Sequence, residues 1–457
     1  MCKILLKSSS RGLSVFHLVN AVHHVPEEDR CTVQQTIFSD PSSSGEKNET
    51  ALQNEIQPEN EILDLSILRN RIKNSSHVDQ DIGVNIDEFL ESVRKEDLRW
   101  NSPAQDKEQY DKRPLKYILY WNEAYGSTEY GFCCGQEPLY KIRCPNTNCY
   151  FTNNRTLFGE DQDQFDAILF HQRSLMDTDL PKKRSPHQRY IMFMLESAQY
   201  NMGFESLKWN SFFNWTMTYR RDSDIPFPYG EIAINPTSSL PFAEGSAELD
   251  SWIQTFGASH SHLAKGRTKK VAWFVSNCDT QSNREKFVTA LATHIQVDIF
   301  GQCGPKRCPR SSNEDCWEMV EKDYKFYLAF ENSICVDYVT EKFFNSISHQ
   351  VIPVVLGGAD YSGMAPKKSF ISVHDLDNNP ARLAKYLKKL DENDDLYAEY
   401  FWWKEFYKVK KADEDRIRAF CNICQKLHDP KQGENIYSDL NEWWDHKSKC
   451  RRARVKL

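Results

Sequence analysis

Two neighbouring segments gather the groups that chemistry would use. Phe326-Tyr-Leu-Ala-Phe-Glu331-Asn332-Ser333 sets a carboxylate and an amide after an apolar run, and Tyr338-Val339-Thr340-Glu341-Lys342-Phe343-Phe344 follows after a short loop. The apolar run predicts a buried strand that delivers Glu331 and Asn332 to its C-terminal end. The second segment predicts a helix whose first N–H groups are free to meet an anion. Thr340 or Asp337 supplies the N-cap, and Glu341 is a bidentate acceptor suited to vicinal hydroxyls. Lys342 places a cation in the first turn, against the helix dipole, which calls for a negative ligand to compensate. Together these residue types predict a site for a nucleotide diphosphate. Standing alone, Glu341 and Lys342 would serve equally as a solvated ion pair.

Other polar residues also follow apolar runs, the usual place for function in an α/β sheet. Glu196 follows Tyr190-Ile-Met-Phe-Met-Leu195, and burial there favours the raised carboxyl pKa that a general base benefits from. His171 and Arg173 follow Phe165-Asp-Ala-Ile-Leu-Phe170, where a structural His fits as well as a ligand contact. Arg284 follows Phe274-Val-Ser276-Asn277-Cys278 and could pair bidentately with phosphate or rest on a helix surface. The glycines of Val297-Asp-Ile-Phe-Gly301-Gln-Cys303-Gly304 suit close approach to a ligand or an ordinary turn.

The elements that must position these groups alternate between strand and helix. Strands are predicted at Leu115–Trp121, Phe165–Phe170 and Tyr190–Leu195, then at Lys270–Ser276, Gln296–Gly301, Tyr324–Phe330 and Val351–Leu356. Helices are predicted over Asn283–Ile295 and Thr340–Ser348. That rhythm predicts parallel sheets in two Rossmann-like α/β domains facing a cleft. The divisions are an irregular N-terminal segment and polar stem at 1–113, a first domain at 114–262, a second at 263–430 and a tail at 431–457. Within the stem, Ile86 to Lys95 is a short helical stretch.

A chain of 457 residues, 40% apolar, suffices for two such domains. Its formal net charge of -7 gives no global basic field for a nucleic acid backbone, so nucleic acid is not an expected partner. Fourteen cysteines, many closely spaced, point to bridges in an oxidising compartment. A zinc site built from Cys421, Cys424, Cys303 and Cys308, or scattered buried thiols of a cytosolic enzyme, are the alternatives. Sequons at Asn48, Asn74, Asn154 and Asn214 favour the secretory lumen. Leu13 to Val25 is apolar but broken by His17, Asn20, His23 and His24, so no membrane anchor is visible.

Tyr327-Leu-Ala-Phe-Glu-Asn-Ser with Asp337-Tyr-Val-Thr-Glu-Lys-Phe-Phe resembles the signature of the α1,3-fucosyltransferase family, and the resemblance runs from about Leu115 to Cys424. It implies a GT-B type glycosyltransferase that takes L-fucose from GDP-β-L-fucose with inversion and needs no cofactor. Donor contacts would fall on Ser276, Asn277, Arg284, Glu331, Asn332, Tyr338, Glu341 and Lys342. Phe193-Met-Leu-Glu196-Ser197 is similar to the strand end that carries the family's base, although Ala198-Gln199 follows where the family usually has Pro. Asn214-Trp-Thr-Met-Thr-Tyr219-Arg220-Arg-Asp222-Ser-Asp224 resembles a cleft-shaping block, making Tyr219, Arg220 and Asp224 candidates beside His171 and Arg173. Asp222 and Asp224 imitate a metal-binding pair, yet no metal site is expected, and a divalent cation would at most stimulate.

Trp121-Asn-Glu-Ala-Tyr125-Gly126 and Cys144-Pro-Asn-Thr-Asn-Cys149 resemble the insect and plant branch that modifies the innermost GlcNAc of N-glycans. A Lewis-type enzyme acting on outer-arm GlcNAc, or an inactive carbohydrate-binding relative, are the alternatives. The Cys421-x-x-Cys424 segment resembles a family disulfide motif, so Cys144, Cys149, Cys303, Cys308, Cys421 and Cys424 are bridge candidates. The implied address is the Golgi lumen, with membrane association through an anchor this sequence does not display.

Overall fold

The structure is a computed structural model. It describes residues 113–457 apart from 202–203, 244, 309–312, 434, 455 and 457. The stretch Leu13 to Val25, the stem with its helix at Ile86 to Lys95, and the sequons at Asn48 and Asn74 lie outside the described residues.

The first half holds a six-stranded sheet. Its strands are β1 (Lys116–Tyr120), β2 (Cys149–Thr152), β3 (Ala167–His171), β4 (Arg189–Met194), β5 (Trp215–Thr218) and β6 (Ile225–Pro226), in the order β2-β1-β3-β4-β5-β6. Every neighbouring pair is parallel. Parallel strands are covered on both faces and read as near-continuous apolar runs. All five residues of β3 are buried, including the terminal His171.

After β6 the chain leaves through β7 (Gly230–Ile234) and α1 (Ala247–Ser259) to a second parallel sheet. There β8 (Lys269–Phe274), α2 (Arg284–Ala292), β9 (Val297–Phe300), α3 (Asn313–Asp323), β10 (Tyr324–Phe330), α4 (Glu341–Ser348), β11 (Ile352–Leu356), β12 (Ile371–Ser372) and α5 (Pro380–Asp391) follow in turn. Strand order is β12-β11-β10-β8-β9, and each pairing is parallel. The seven residues of β10 are all buried, which puts the strand carrying Glu331 at the centre. Both Rossmann-like halves expected from the strand-helix rhythm are present.

Contacts cross the divisions read along the chain. Trp252 of α1 packs on Trp402 and Phe406, so residues before 262 already belong with the second half. The chain then returns: β13 (Tyr407–Lys411) pairs antiparallel with β7, and α6 (Ala412–Leu427) packs back on the first sheet. Phe420 of α6 stacks on Phe132 at 4.4 Å and meets Phe151 and Phe227 edge-on. The closing segment is likewise part of the fold, with Trp444 fully buried. Apolar faces that complete a core across several hundred residues leave no local mark, so a linear division at 262 and 430 misses the exchange.

Cysteine pairing is equally long-range. Cys144 bonds Cys421 and Cys149 bonds Cys424, fastening α6 to the first sheet, while Cys335 bonds Cys450. Cys278–Cys303 and Cys308–Cys316 tie the second half, and Cys133 bonds Cys134. Most close neighbours in sequence therefore do not close short loops on each other. The thiols that a zinc site or a free-thiol enzyme would need are consumed. Among the described residues no helix is long and apolar enough to cross a membrane.

Candidate active site

The end of β10 and the start of α4 form one locked unit. Glu331 has no solvent exposure. Its carboxylate accepts from the Thr340 N–H at 2.8 Å and from the Thr340 hydroxyl, and it lies 3.2 Å from Lys342 Nζ. Thr340 is the N-cap of α4, and its hydroxyl also accepts from Lys342 Nζ at 2.7 Å. Burial pushes the Glu331 carboxyl up against the pull of Lys342. Desolvation works against the Lys342 charge, but Glu331 and Glu341 outweigh it and raise its pKa. Glu331 is thus a brace for the helix start, and the exposed Glu341 accepts from Lys342 Nζ at 3.1 Å.

Arg284 opens α2 beside this unit. It is 3% exposed; Nη1 donates to Phe330 O at 2.7 Å and Nη2 to Asn277 O at 3.2 Å. The guanidinium therefore joins the end of β10 to the loop after β8, where Ser276 and Asn277 are exposed. Asn332 Oδ1 is buried without a hydrogen-bond partner. Gly301 and Gly304 serve the protein's own packing. A Cβ at Gly301, where φ is +101°, would lie 2.4 Å from Val275 O, and one at Gly304 would lie 2.2 Å from Ile299 O.

Glu196 sits half-buried just past β4 in the other half. The Tyr338 hydroxyl, on the loop between β10 and α4, donates to Glu196 Oε2 at 3.0 Å. Ser197 and Ser333 join alongside through a buried hydroxyl pair at 2.6 Å. Burial holds the Tyr338 phenol well above its usual pKa, so it remains a donor. The strand end is fixed from two further sides. Leu195 N donates to the Tyr125 hydroxyl at 3.3 Å, and Leu195 O accepts from the Tyr229 hydroxyl at 3.0 Å. Where Ala198 and Gln199 replace the expected Pro, Ser197 keeps extended backbone and a single 3-10 turn follows over Ala198–Tyr200.

His171 is 2% exposed, with Nδ1 bonded to Glu123 O at 2.9 Å and Nε2 buried without a partner. Desolvation lowers its pKa to about 4, with Arg173 adding to the effect, so the ring is neutral. Tyr125 lies against it at 4.7 Å and is 51% exposed, an aromatic face beside Glu196. Half-exposed Arg173 completes that side. No spacing rule singled out Tyr125, Tyr229 or the Ser197–Ser333 pair, because each acts through a contact between distant segments.

Three cleft candidates are spent inside the fold. Tyr219 is buried, edge-on to Tyr338 at 4.9 Å. Arg220 holds Asp222 bidentately at 2.8 and 2.6 Å and reaches Ser448 Oγ and Trp443 O. Asp224 accepts from Thr216 N at 2.9 Å and from the Tyr437 hydroxyl at 2.8 Å. Asp222 and Asp224 therefore turn to different partners and do not converge as a metal pair. Asn214 is 6% exposed and its Nδ2 donates to Asn435 O, so no glycan fits there. Asn154 is exposed, with Oδ1 accepting from Thr156 N at 3.0 Å and from its hydroxyl at 2.9 Å.

Comparison with known proteins agrees along most of the described chain. Residues 264–443 match the family model described as Glycosyltransferase family 10 (fucosyltransferase) C-term, and residues 113–230 match Fucosyltransferase, N-terminal. The Drosophila melanogaster alpha-(1,3)-fucosyltransferase C is 36% identical over 360 residues, covering 74% of this chain and 80% of that protein. The Drosophila glycoprotein 3-alpha-L-fucosyltransferase A is 36% identical over 341 residues, covering 74% of this chain and 61% of that protein. The Rattus norvegicus 4-galactosyl-N-acetylglucosaminide 3-alpha-L-fucosyltransferase 9 is 34% identical over 335 residues, covering 72% and 81%.

Proposed function

Because the chain belongs to glycosyltransferase family 10, the fucosyltransferases, we propose that it moves L-fucose from GDP-β-L-fucose to the 3-hydroxyl of a GlcNAc, with Glu196 as general base. The observation that carries this is the 3.0 Å hydrogen bond from Tyr338 to Glu196. It sets a carboxylate of the first half directly against the loop of the second half that begins at Asn332 and leads into α4, where Lys342 lies.

The acceptor hydroxyl enters beside Glu196, which takes its proton as the oxygen attacks the anomeric carbon. The bond from that carbon to the diphosphate oxygen breaks on the opposite face, so the β linkage of the donor becomes an α linkage and GDP leaves with the electron pair. Lys342, Arg284 and the free N–H groups of α4 stabilise the charge growing on the diphosphate. Each such preorganised donor is worth about 3 kcal/mol. Lys342 is held in place by Glu331, whereas Arg284, buried with Nη1 on Phe330 O and Nη2 on Asn277 O, must exchange a protein acceptor to reach phosphate. Glu341 and Asn332 serve the nucleoside end. No metal is required, and a divalent cation would act only by screening phosphate.

The acceptor is the innermost GlcNAc of an N-glycan, a choice supported by likeness to the Drosophila glycoprotein 3-alpha-L-fucosyltransferase A. Likeness to the rat 4-galactosyl-N-acetylglucosaminide enzyme favours outer-arm GlcNAc as a second reading. The site of action is the Golgi lumen, in keeping with the six disulfides among the described residues. The test is purified protein with GDP-fucose and an N-glycopeptide bearing both kinds of GlcNAc, followed by linkage analysis of the product. Fucose on the inner GlcNAc is expected; fucose only on the outer arm selects the second reading. Glu196→Gln should abolish transfer while GDP still binds, and transfer at the wild-type rate would remove Glu196 as base.

A further inference from the structure

The closing segment carries a dense charge that neither the core nor the proposed chemistry uses. Lys447, Lys449, Arg451, Arg452, Arg454 and Lys456 fall within ten residues, with no acidic residue among them. All six are exposed. Among the described residues none of the six side chains has an ion pair or hydrogen bond. A basic run of this kind is ordinarily a solvated tail, but this one is fastened down.

Its backbone is fixed to the two loops that carry the donor-site candidates. Cys450 bonds Cys335, Val336 N donates to Ser448 O at 2.8 Å, and Arg451 N donates to Ile334 O at 2.9 Å. These contacts lie on the loop between Asn332 and Tyr338. Further on, Ala453 N donates to Ser282 O at 3.0 Å, two residues before Arg284, and Ser282 N donates in turn to Asn332 O at 3.1 Å. Arg220 and Trp443 pin the near end, and Lys456 N reaches Asn378 O. The six cations are therefore held along the rim of the donor side, in a protein whose overall charge of -7 would repel an anionic substrate.

We propose that residues 447–456 are an electrostatic guide for a nucleoside diphosphate sugar, drawing its diphosphate toward Arg284 and Lys342. The guide acts on capture, and Arg284 and Lys342 do the holding. Fixed charge at the mouth of a cleft raises the encounter rate of an opposite charge, by about 10- to 1,000-fold in strong cases, and salt removes the effect. A guide of this kind changes association and leaves dissociation alone, because its charges do not touch the seated ligand. The inference rests on the fucosyl-transfer reading for the identity of the donor.

The test uses the full chain, disulfides intact, with N-methylanthraniloyl-GDP as probe in stopped flow at ionic strengths from about 0.02 to 0.5 M, a range over which screening changes several-fold. Lys449, Arg451, Arg452 and Arg454 are replaced together by Gln, and separately the three arginines by Lys as a charge-keeping control. The Gln variant should associate about tenfold more slowly at low salt, with a flattened salt dependence that meets the wild type at high salt. Its dissociation rate should be unchanged, and the Lys control should behave as wild type. Equal association and equal salt dependence in the Gln variant would overturn the guide. A change confined to dissociation, or to the Michaelis constant of the acceptor glycopeptide, would overturn it as well. If the wild type binds no GDP at any salt, the donor assignment itself fails and the guide with it; wild-type binding without a variant effect rejects the guide alone.

Discussion

Replacing Lys342 with Met separates the two roles the structure gives that residue. The ammonium is the cation proposed for the diphosphate, and it lies 3.2 Å from Glu331, a carboxylate with no solvent exposure. Without it, Glu331 keeps only the Thr340 N–H and hydroxyl as donors. Breaking a buried pair from one side costs about 3–5 kcal/mol. The loss has a ceiling, because Glu331 can take a proton instead. At pH 7, protonating a carboxyl whose reference pKa is 4.5 costs about 3 kcal/mol. The expected destabilisation is therefore about 3 kcal/mol at pH 7, or roughly 3–4 °C in melting temperature for a chain of this size. A folded-state pKa raised above the reference favours the folded state as pH falls, so the deficit should shrink by about 1.4 kcal/mol per pH unit and nearly vanish at pH 5.

Calorimetry at both pH values reads this directly. The double variant Glu331→Gln with Lys342→Met should recover stability to within about 1 kcal/mol, since Gln still accepts from Thr340 and carries no charge. Transfer should stay at least about 100-fold down in both variants, because the cation for the diphosphate is absent from each. A Lys342→Met protein as stable as wild type at pH 7, or a deficit equal at pH 5 and pH 7, would refute the buried-pair argument.

Two further outcomes follow from the other half of the cleft. Tyr338→Phe removes the hydroxyl that donates to Glu196; kcat should fall about tenfold, within the range of a lost hydrogen bond to a charged group. GDP affinity should stay near wild type, and an unchanged kcat would make Tyr338 a packing residue only. His171, neutral in the fold with a pKa near 4 because it is desolvated, gains its proton in the unfolded chain below its usual 6.5. Stability should fall with pH through that window, by about 2 kcal/mol at pH 5 relative to pH 7. His171→Phe should shrink this difference as followed by urea unfolding, and an unchanged difference would place the pH sensitivity elsewhere.

Much of the fold was legible because both sheets are parallel and buried. Tyr324–Phe330 was read as a strand to the residue, and Lys270–Ser276 and Tyr190–Leu195 each fell within one or two residues of β8 and β4. Thr340 was likewise legible as a cap, since a hydroxyl before a helical apolar pattern has few other uses. What stayed hidden depends on partners far along the chain. Cys421 and Cys424, three residues apart, look like each other's neighbours, but on α6 they face Cys144 and Cys149 across separations of 277 and 275 residues. The ribbon of β7 with β13 is hidden for the same reason, since neither strand has an apolar run of its own.

The site divides along a similar line. A polar residue after a buried strand can line a cleft or lock strand ends together, and sequence position cannot separate the two. Burial and hydrogen-bond supply can. Glu331, Arg220 and Asp224 have their acceptors or donors filled by the protein, whereas Asn332 has a buried oxygen left over and Glu341 faces outward. The proposed donor side could be suggested from sequence because diphosphate recognition needs several charged residues on one strand-loop-helix unit, and such residues stand close together here. The side proposed to face the acceptor is assembled from single residues on separate segments, Tyr125, His171, Arg173 and Glu196, with Tyr125 exposed beside Glu196. A neutral sugar offers hydroxyls and one apolar face, so such a surface needs no charge cluster that a sequence pattern would reveal. That difference in ligand chemistry is why the donor half of the function rests on a motif, and why the acceptor half has to be measured.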